Sequence, residues 1–155
     1  DVESRGLGDV YKRQALTIGN ALTDEATGIT VLLKQILTPV FEGQSPLVFT
    51  ITIVVIACVL TNICNNMVVG MLLIPIIHVF SQQIGAGSAA IACLSVYMVC
   101  IAVVTPAAST TSAILHGNTK WLKIGDIYKY GILMSIISLI AVLAVGLPIA
   151  NIFFS

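Results

Sequence analysis

The sequence predicts an all-α integral membrane protein: a re-entrant helical hairpin, a broken transmembrane helix and a final transmembrane helix. Three observations predict it. Of 155 residues, 57% are hydrophobic and 9% charged, where soluble domains carry about 25% charged. Residues 43–119 contain no Asp, Glu, Lys or Arg, and residues 130–155 contain none either; runs of that length belong in hydrocarbon. Within the first run the polar side chains gather at two places, Thr61–Asn66 and Thr105–Ser112. This composition excludes a free soluble globule, a disordered tail and a collagen-like rod. Seven basic residues balance seven acidic ones, so no net field draws the chain to nucleic acid or to anionic lipid.

The elements follow in order. Residues 1–14 hold six of the charged residues, and the stretch from Arg5 to Gln14 resembles translated adaptor sequence; it reads as a non-native end, the alternative being a charged loop between spans. Residues 15–46 read as the end of a span, an amphipathic helix near the interface and, from Thr38, a loop carrying Pro39, Gly43 and Pro46. The chain starts with Asp and has room for three or four embedded elements, which reads as the distal piece of a longer protein.

Residues 47–80 read as the hairpin. Leu47 to Leu60 and Met67 to Phe80 are apolar runs of 14 residues, about 21 Å each and short of the roughly 30 Å hydrocarbon core. Between them Asn62, Asn65 and Asn66 make poor helix interior, because Asn competes for backbone hydrogen bonds. The competing reading is one continuous span over residues 47–69 with its polar side chains on a neighbouring helix. Residues 89–117 read as a broken helix. Ala89 to Val104 is apolar, Pro106 removes a backbone donor and disfavours helix at Thr105, and Ser109 to Ser112 can cap a restart. A Pro-kinked helix with hydroxyls bonded to their own carbonyls is the alternative. Residues 118–129 read as a polar loop, and residues 130–155 as one full span that Pro148 can bend or end. Lys120, Lys123 and Lys129 place that loop in the cytoplasm, hence the C-terminus outside and the hairpin opening outward, in a multi-pass protein of the cell (inner) membrane.

Enzyme chemistry has little to work with. Cys58, Cys64, Cys93 and Cys100 form no C-x-x-C pair and read as small apolar filler. His78 and His116 stand far apart, with no metal-site spacing. The sequence holds no phosphate-binding glycine loop and no carboxylate in the apolar region, so the chain is not expected to be an enzyme. Two interrupted elements do bring together four helix ends. Helix C-termini with Thr and Asn oxygens suit a hard cation such as sodium; N-terminal amides with hydroxyls suit an anion. Secondary transporters build midplane sites in this way.

At these residues the sequence resembles the divalent anion:sodium symporter family of the ion transporter superfamily, over roughly residues 45–150. That family carries a Ser-Asn-Thr motif at the tip of an outward-opening hairpin, with a proline ten residues after the serine. Counting back from Pro75 places Asn65-Asn66-Met67 on the motif, with Thr61 where the family often has threonine. The family's Pro-x-x-Thr-Pro-Pro-Asn-Ala-Ile…Gly stretch reads here Pro106-Ala107-Ala108-Ser109-Thr110-Thr111-Ser112-Ala113-Ile114…Gly117, without gaps. Asp126-Ile127-Tyr128-Lys129-Tyr130-Gly131 is similar to the start of its final span. The departures are Asn65 for serine, Met67 for threonine and Thr110-Thr111 for the two prolines.

The resemblance implies that Thr61, Asn66 and the carbonyls near Cys64 and Ala108 bind sodium as coupling ion. It implies that Asn65, Asn66, Ser109 and Thr110 face a small anionic solute such as a dicarboxylate or sulfate. It further implies one half of an inverted-repeat transporter whose N-terminal half completes the site, in a homodimer. Other activities of that superfamily, cation/proton antiport or oxyanion export, form the alternative, followed by a non-transporting membrane subunit. Proton coupling would call for an intramembrane carboxylate, and this stretch has none.

Overall fold

The structure, a computed structural model, describes residues 41–154 and, before them, Thr17, Gly28, Val31, Gln35, Thr38 and Pro39. The expected end sequence over residues 1–14, and most of the expected interfacial helix, lie outside the described residues. All regular elements among the described residues are helical. They are α1 (Pro46–Ile63), α2 (Asn66–Ile84), α3 (Ser88–Val99), α4 (Thr110–Gly117), α5 (Ile124–Ala141) and α6 (Leu147–Phe154), with one π-helical turn, Val142–Gly146, between the last two. Three helices are long and apolar enough to cross a membrane: α1, α2 and the continuous 31-residue helix Ile124–Phe154.

Local chemistry sets the ends. Ser45 caps α1 by accepting the Val48 N–H at 3.4 Å, and Pro46 occupies the first helical position, where its missing donor costs nothing. Gly85 closes α2 at φ +71°, and the Ala86 N–H reaches back to the Ser81 carbonyl at 2.9 Å, satisfying an end carbonyl.

Packing fixes the directions. The Phe41 ring lies 5.0 Å from that of Phe49 and 5.2 Å from that of Phe80, so the start of α1 and the end of α2 share one end of the bundle. α1 and α2 therefore form a hairpin. The Thr61 hydroxyl donates to the Val99 carbonyl at 2.7 Å, near the last turns of both helices, so α3 runs parallel to α1. A Cβ added at Gly131 would meet the Val103 carbonyl at 3.1 Å, and one at Gly87 would lie 3.7 Å from that of Phe154. The long helix is thus antiparallel to α3. Phe49, Ile53, Ala57, Leu73, Ile77 and Met98 fill the core among α1, α2 and α3, nearly or wholly closed to solvent. The long helix buries only its Ile127, Gly131, Ser135, Val142 and Ala150 face.

Three boundaries differ from the sequence reading, each for a physical reason, while the end of the last helix falls where it is expected. Thr38, Pro39 and Phe41 are helical, so the loop before α1 shrinks to residues 42–45; burial of Phe41 in the aromatic cluster holds that turn. The hairpin arms have 18 and 19 residues rather than 14, about 27 and 28 Å, because Thr61 and Asn62 find partners inside helical geometry. The final helix starts at Ile124, so the polar loop is only residues 118–123; Asp126 in its first turn complements the helix dipole. Pro148 neither ends nor breaks that helix. The π turn ahead of it carries a Leu147 N–H to Val142 carbonyl bond, a local rewinding that accommodates the missing proline donor.

The junction of hairpin and broken helix sits off-centre. Gly131, which packs on it, is the eighth residue of the 31-residue helix, about 10 Å from one end and 35 Å from the other. The junction thus lies nearer the lysine-bearing end than the middle where the sequence reading put it.

Candidate functional site

Residues 100–109 are unwound between α3 and α4. The break opens at Cys100, earlier than the Thr105 expected from sequence, although Ile101, Ala102, Val103 and Val104 are apolar. Unpaired backbone groups in an apolar setting cost several kcal/mol each, so these residues need partners from elsewhere. They have them. The Asn62 side-chain carbonyl accepts from the Val103 N–H at 3.1 Å and the Val104 N–H at 3.0 Å, while its amide donates to the Cys58 carbonyl at 2.8 Å. Ser109 donates to the Ala102 carbonyl at 2.7 Å, and Ser112 donates to that of Val103 at 3.1 Å. One asparagine from the hairpin and two serines from the restarting helix thus stand in for the missing helical bonds.

The residues expected to bind the cation lie at the hairpin tip and in the break. Thr61 is wholly buried, and its hydroxyl, having donated to Val99, keeps its oxygen lone pairs. Cys64 is the exposed C-cap of α1, its N–H on the Leu60 carbonyl at 2.7 Å. The Asn66 N–H donates to the Ala108 carbonyl at 3.0 Å, tying the hairpin tip to the break. Ala108 is fully buried, so one lone pair of its carbonyl is committed and one is left. The half-buried Asn66 side chain makes no hydrogen bond among the described residues.

The residues expected to face the solute divide. Asn65 caps α2, accepting the Met67 N–H at 3.0 Å. Ser109 caps α4, accepting the Ser112 N–H at 3.1 Å. Both are half-buried, whereas Thr110 and Met67 are exposed. The N-termini of α2 and α4 therefore both begin at the junction, with their first N–H groups and partial positive charge there.

Sequence reasoning passed over three participants. Asn62 was legible only as a helix-breaking residue; an amide in the last turn of an apolar helix that has to find partners was the available signal. Gly131 is a point of close approach, since the Val103 carbonyl and Val104 Cα would have to give by a few tenths of an ångström to admit a side chain. His116, dismissed as a metal ligand, hydrogen-bonds through Nδ1 to the Ser112 carbonyl at 2.8 Å and packs edge-on against Tyr128 at 5.1 Å. A carbonyl can only accept, so Nδ1 carries the proton. Its Nε2 is buried without a partner, as is the Thr105 hydroxyl in the unwound stretch.

No group of three or more His, Cys, Asp or Glu that could hold a metal occurs among the described residues. The donors at the junction are hydroxyl, amide and carbonyl oxygens, a set that suits hard cations rather than thiolate- or imidazole-seeking metals. An apolar groove of about 730 Å³ between α3 and the long helix, lined by Leu94, Tyr97, Val145 and Phe153 among others, includes none of the junction residues. Comparison with protein-family models, curated proteins and solved structures finds no match for this chain.

Proposed function

We propose that this chain is the distal half of a secondary active transporter that couples sodium entry to uptake of a small anion. The observation that carries the reading is the charge-free junction itself. The ends of α1 and α3 and the starts of α2 and α4 converge there around an unwound segment, with Thr61, Asn66 and Ala108 oxygens on the cation side and Asn65 and Ser109 at the helix starts. Carbonyl-bearing C-termini select a cation and amide-bearing N-termini an anion. On this reading the hairpin is re-entrant. Support comes from its tip, which stops about 10 Å short of the start of the long helix and rests against the broken helix rather than passing beyond it. An N-terminal half of inverted topology completes the solute site, and two such proteins form a dimer in the inner membrane with the C-terminus outside.

The complete transporter containing this chain, reconstituted in liposomes, is expected to accumulate labelled succinate or sulfate under an inward sodium gradient. Asn66→Ala should reduce that uptake at least tenfold, because it removes the uncommitted side chain while leaving its backbone bond to Ala108. Uptake that proceeds equally on potassium contradicts sodium coupling.

One observation favours a second reading within the same superfamily. The buried, unpartnered Nε2 of His116 lies in the helix that restarts after the break, a nitrogen a proton-coupled antiporter or oxyanion exporter could use. Uptake that follows a pH gradient and is lost in His116→Gln would favour it over sodium.

A further inference from the structure

We propose that the turn between α4 and α5 is a binding surface for anionic phospholipid headgroups, with Trp121 as its anchor at the membrane interface. Zero net charge argued against attraction to anionic lipid, but the charge is locally uneven. Lys120, Lys123 and Lys129 fall within ten residues, with Asp126 the only acid among them and none elsewhere after Glu42. None of the three lysines is ion-paired among the described residues, and Lys129 lies over the Tyr130 ring, 5.9 Å from its centroid. Trp121, between the first two lysines, is 84% exposed.

The turn is not loose. The Trp121 and Leu122 N–H groups both donate to the Asn118 carbonyl, at 3.1 and 3.2 Å, and the Asp126 and Ile127 N–H groups donate to that of Lys123. An ordered turn that holds an indole and Leu122 in the open, followed directly by exposed Ile124, fits the boundary where headgroups meet acyl chains. Indole is favoured at that depth, and lysine stems reach outward to phosphate. Each lysine near an anionic leaflet adds about fivefold to binding. His116 and Tyr128 are the other titratable groups nearby; they pack on each other, and His116 Nδ1 is committed to Ser112. The proposal needs only that the long helix spans the bilayer, so it stands or falls apart from transport.

Trp121 is the only tryptophan in the chain, so its fluorescence reports this turn alone. The chain is reconstituted in phosphatidylcholine vesicles containing brominated phosphatidylglycerol or brominated phosphatidylcholine as quencher. The relative association constant for phosphatidylglycerol is expected to be about fivefold or more at 0.1 M salt. It should fall toward unity at 1 M salt, where screening shortens to about 3 Å. Lys120→Gln with Lys123→Gln should bring the ratio close to one and leave quenching by phosphatidylcholine unchanged. Equal quenching by the two lipids in the unsubstituted chain overturns the proposal, as does a preference that survives the double substitution. Trp121 unquenched by either lipid would mean that protein covers the turn, and also overturns it. Loss of the preference on adding inorganic phosphate at constant ionic strength would reassign the lysines to a free anion.

Discussion

Asn62→Ala is expected to cost the folded chain about 2–4 kcal/mol, because it leaves two part-buried backbone N–H groups without their acceptor, at about 1–3 kcal/mol each, and removes a second hydrogen bond from the Cys58 carbonyl. The Val103 and Val104 N–H groups have no acceptor other than Asn62 among the described residues, and both belong to residues with apolar side chains. A surface asparagine loses little on truncation, since water replaces it; here nothing replaces it. Denaturation of the detergent-solubilised chain by SDS, followed by circular dichroism, measures the loss. Asn62→Asp at low pH separates the terms. A protonated carboxyl keeps a carbonyl acceptor for the unwound segment and an O–H donor in place of the amide, so its loss should be clearly smaller; at neutral pH a buried charge adds its own desolvation cost. Equal losses for the two variants at low pH would mean that the acceptor bonds carry no weight.

Gly131→Val is expected to destabilise by about 2–3 kcal/mol, the range for overpacking a filled site. Its first added carbon would lie 3.1 Å from the Val103 carbonyl oxygen and 3.2 Å from the Val104 Cα. Both are backbone atoms in the segment that Asn62 holds, so neither can swing aside as a side chain would. Gly125 is the internal control. It lies one turn and a half earlier in the same helix, with nothing within 4 Å of an added Cβ. Gly125→Ala should be neutral or stabilising by up to about 1 kcal/mol through lower unfolded-state entropy. The same SDS titration reads both, and similar effects at the two glycines would contradict the close approach.

These two residues also mark where sequence reading stopped. The helices were legible because long uncharged runs have few alternatives in a bilayer, and the Ser109 cap was legible from the hydroxyl run after Pro106. The extent of the break was not. Ile101 to Val104 carry apolar side chains and look like helix; what unwinds them is a set of bonds from Asn62, 41 and 42 positions away, and from Ser109 and Ser112. Side-chain hydropathy does not register where backbone bonds go. The start of α5 was missed for the opposite reason, since Lys123, Asp126 and Lys129 look like a loop by polarity yet suit a helix end in headgroups. Of the expected residues, Asn66 and Ala108 are joined by a backbone hydrogen bond, Thr61 and Ser109 bond to the Val99 and Ala102 carbonyls, and Thr110 is exposed.

On the proposed reading, oxygens of this chain hold a sodium ion at the junction. The most direct measurement is the melting midpoint of the detergent-solubilised chain in sodium chloride against potassium chloride at equal ionic strength. At sodium ten times its dissociation constant, binding adds about 1.4 kcal/mol, a rise of about 3–5 °C for a chain of this size. Sodium should raise the midpoint by that amount and leave Asn66→Ala, which retains its backbone bond to Ala108, unmoved. Identical midpoints in sodium and potassium across the accessible concentration range would contradict the account.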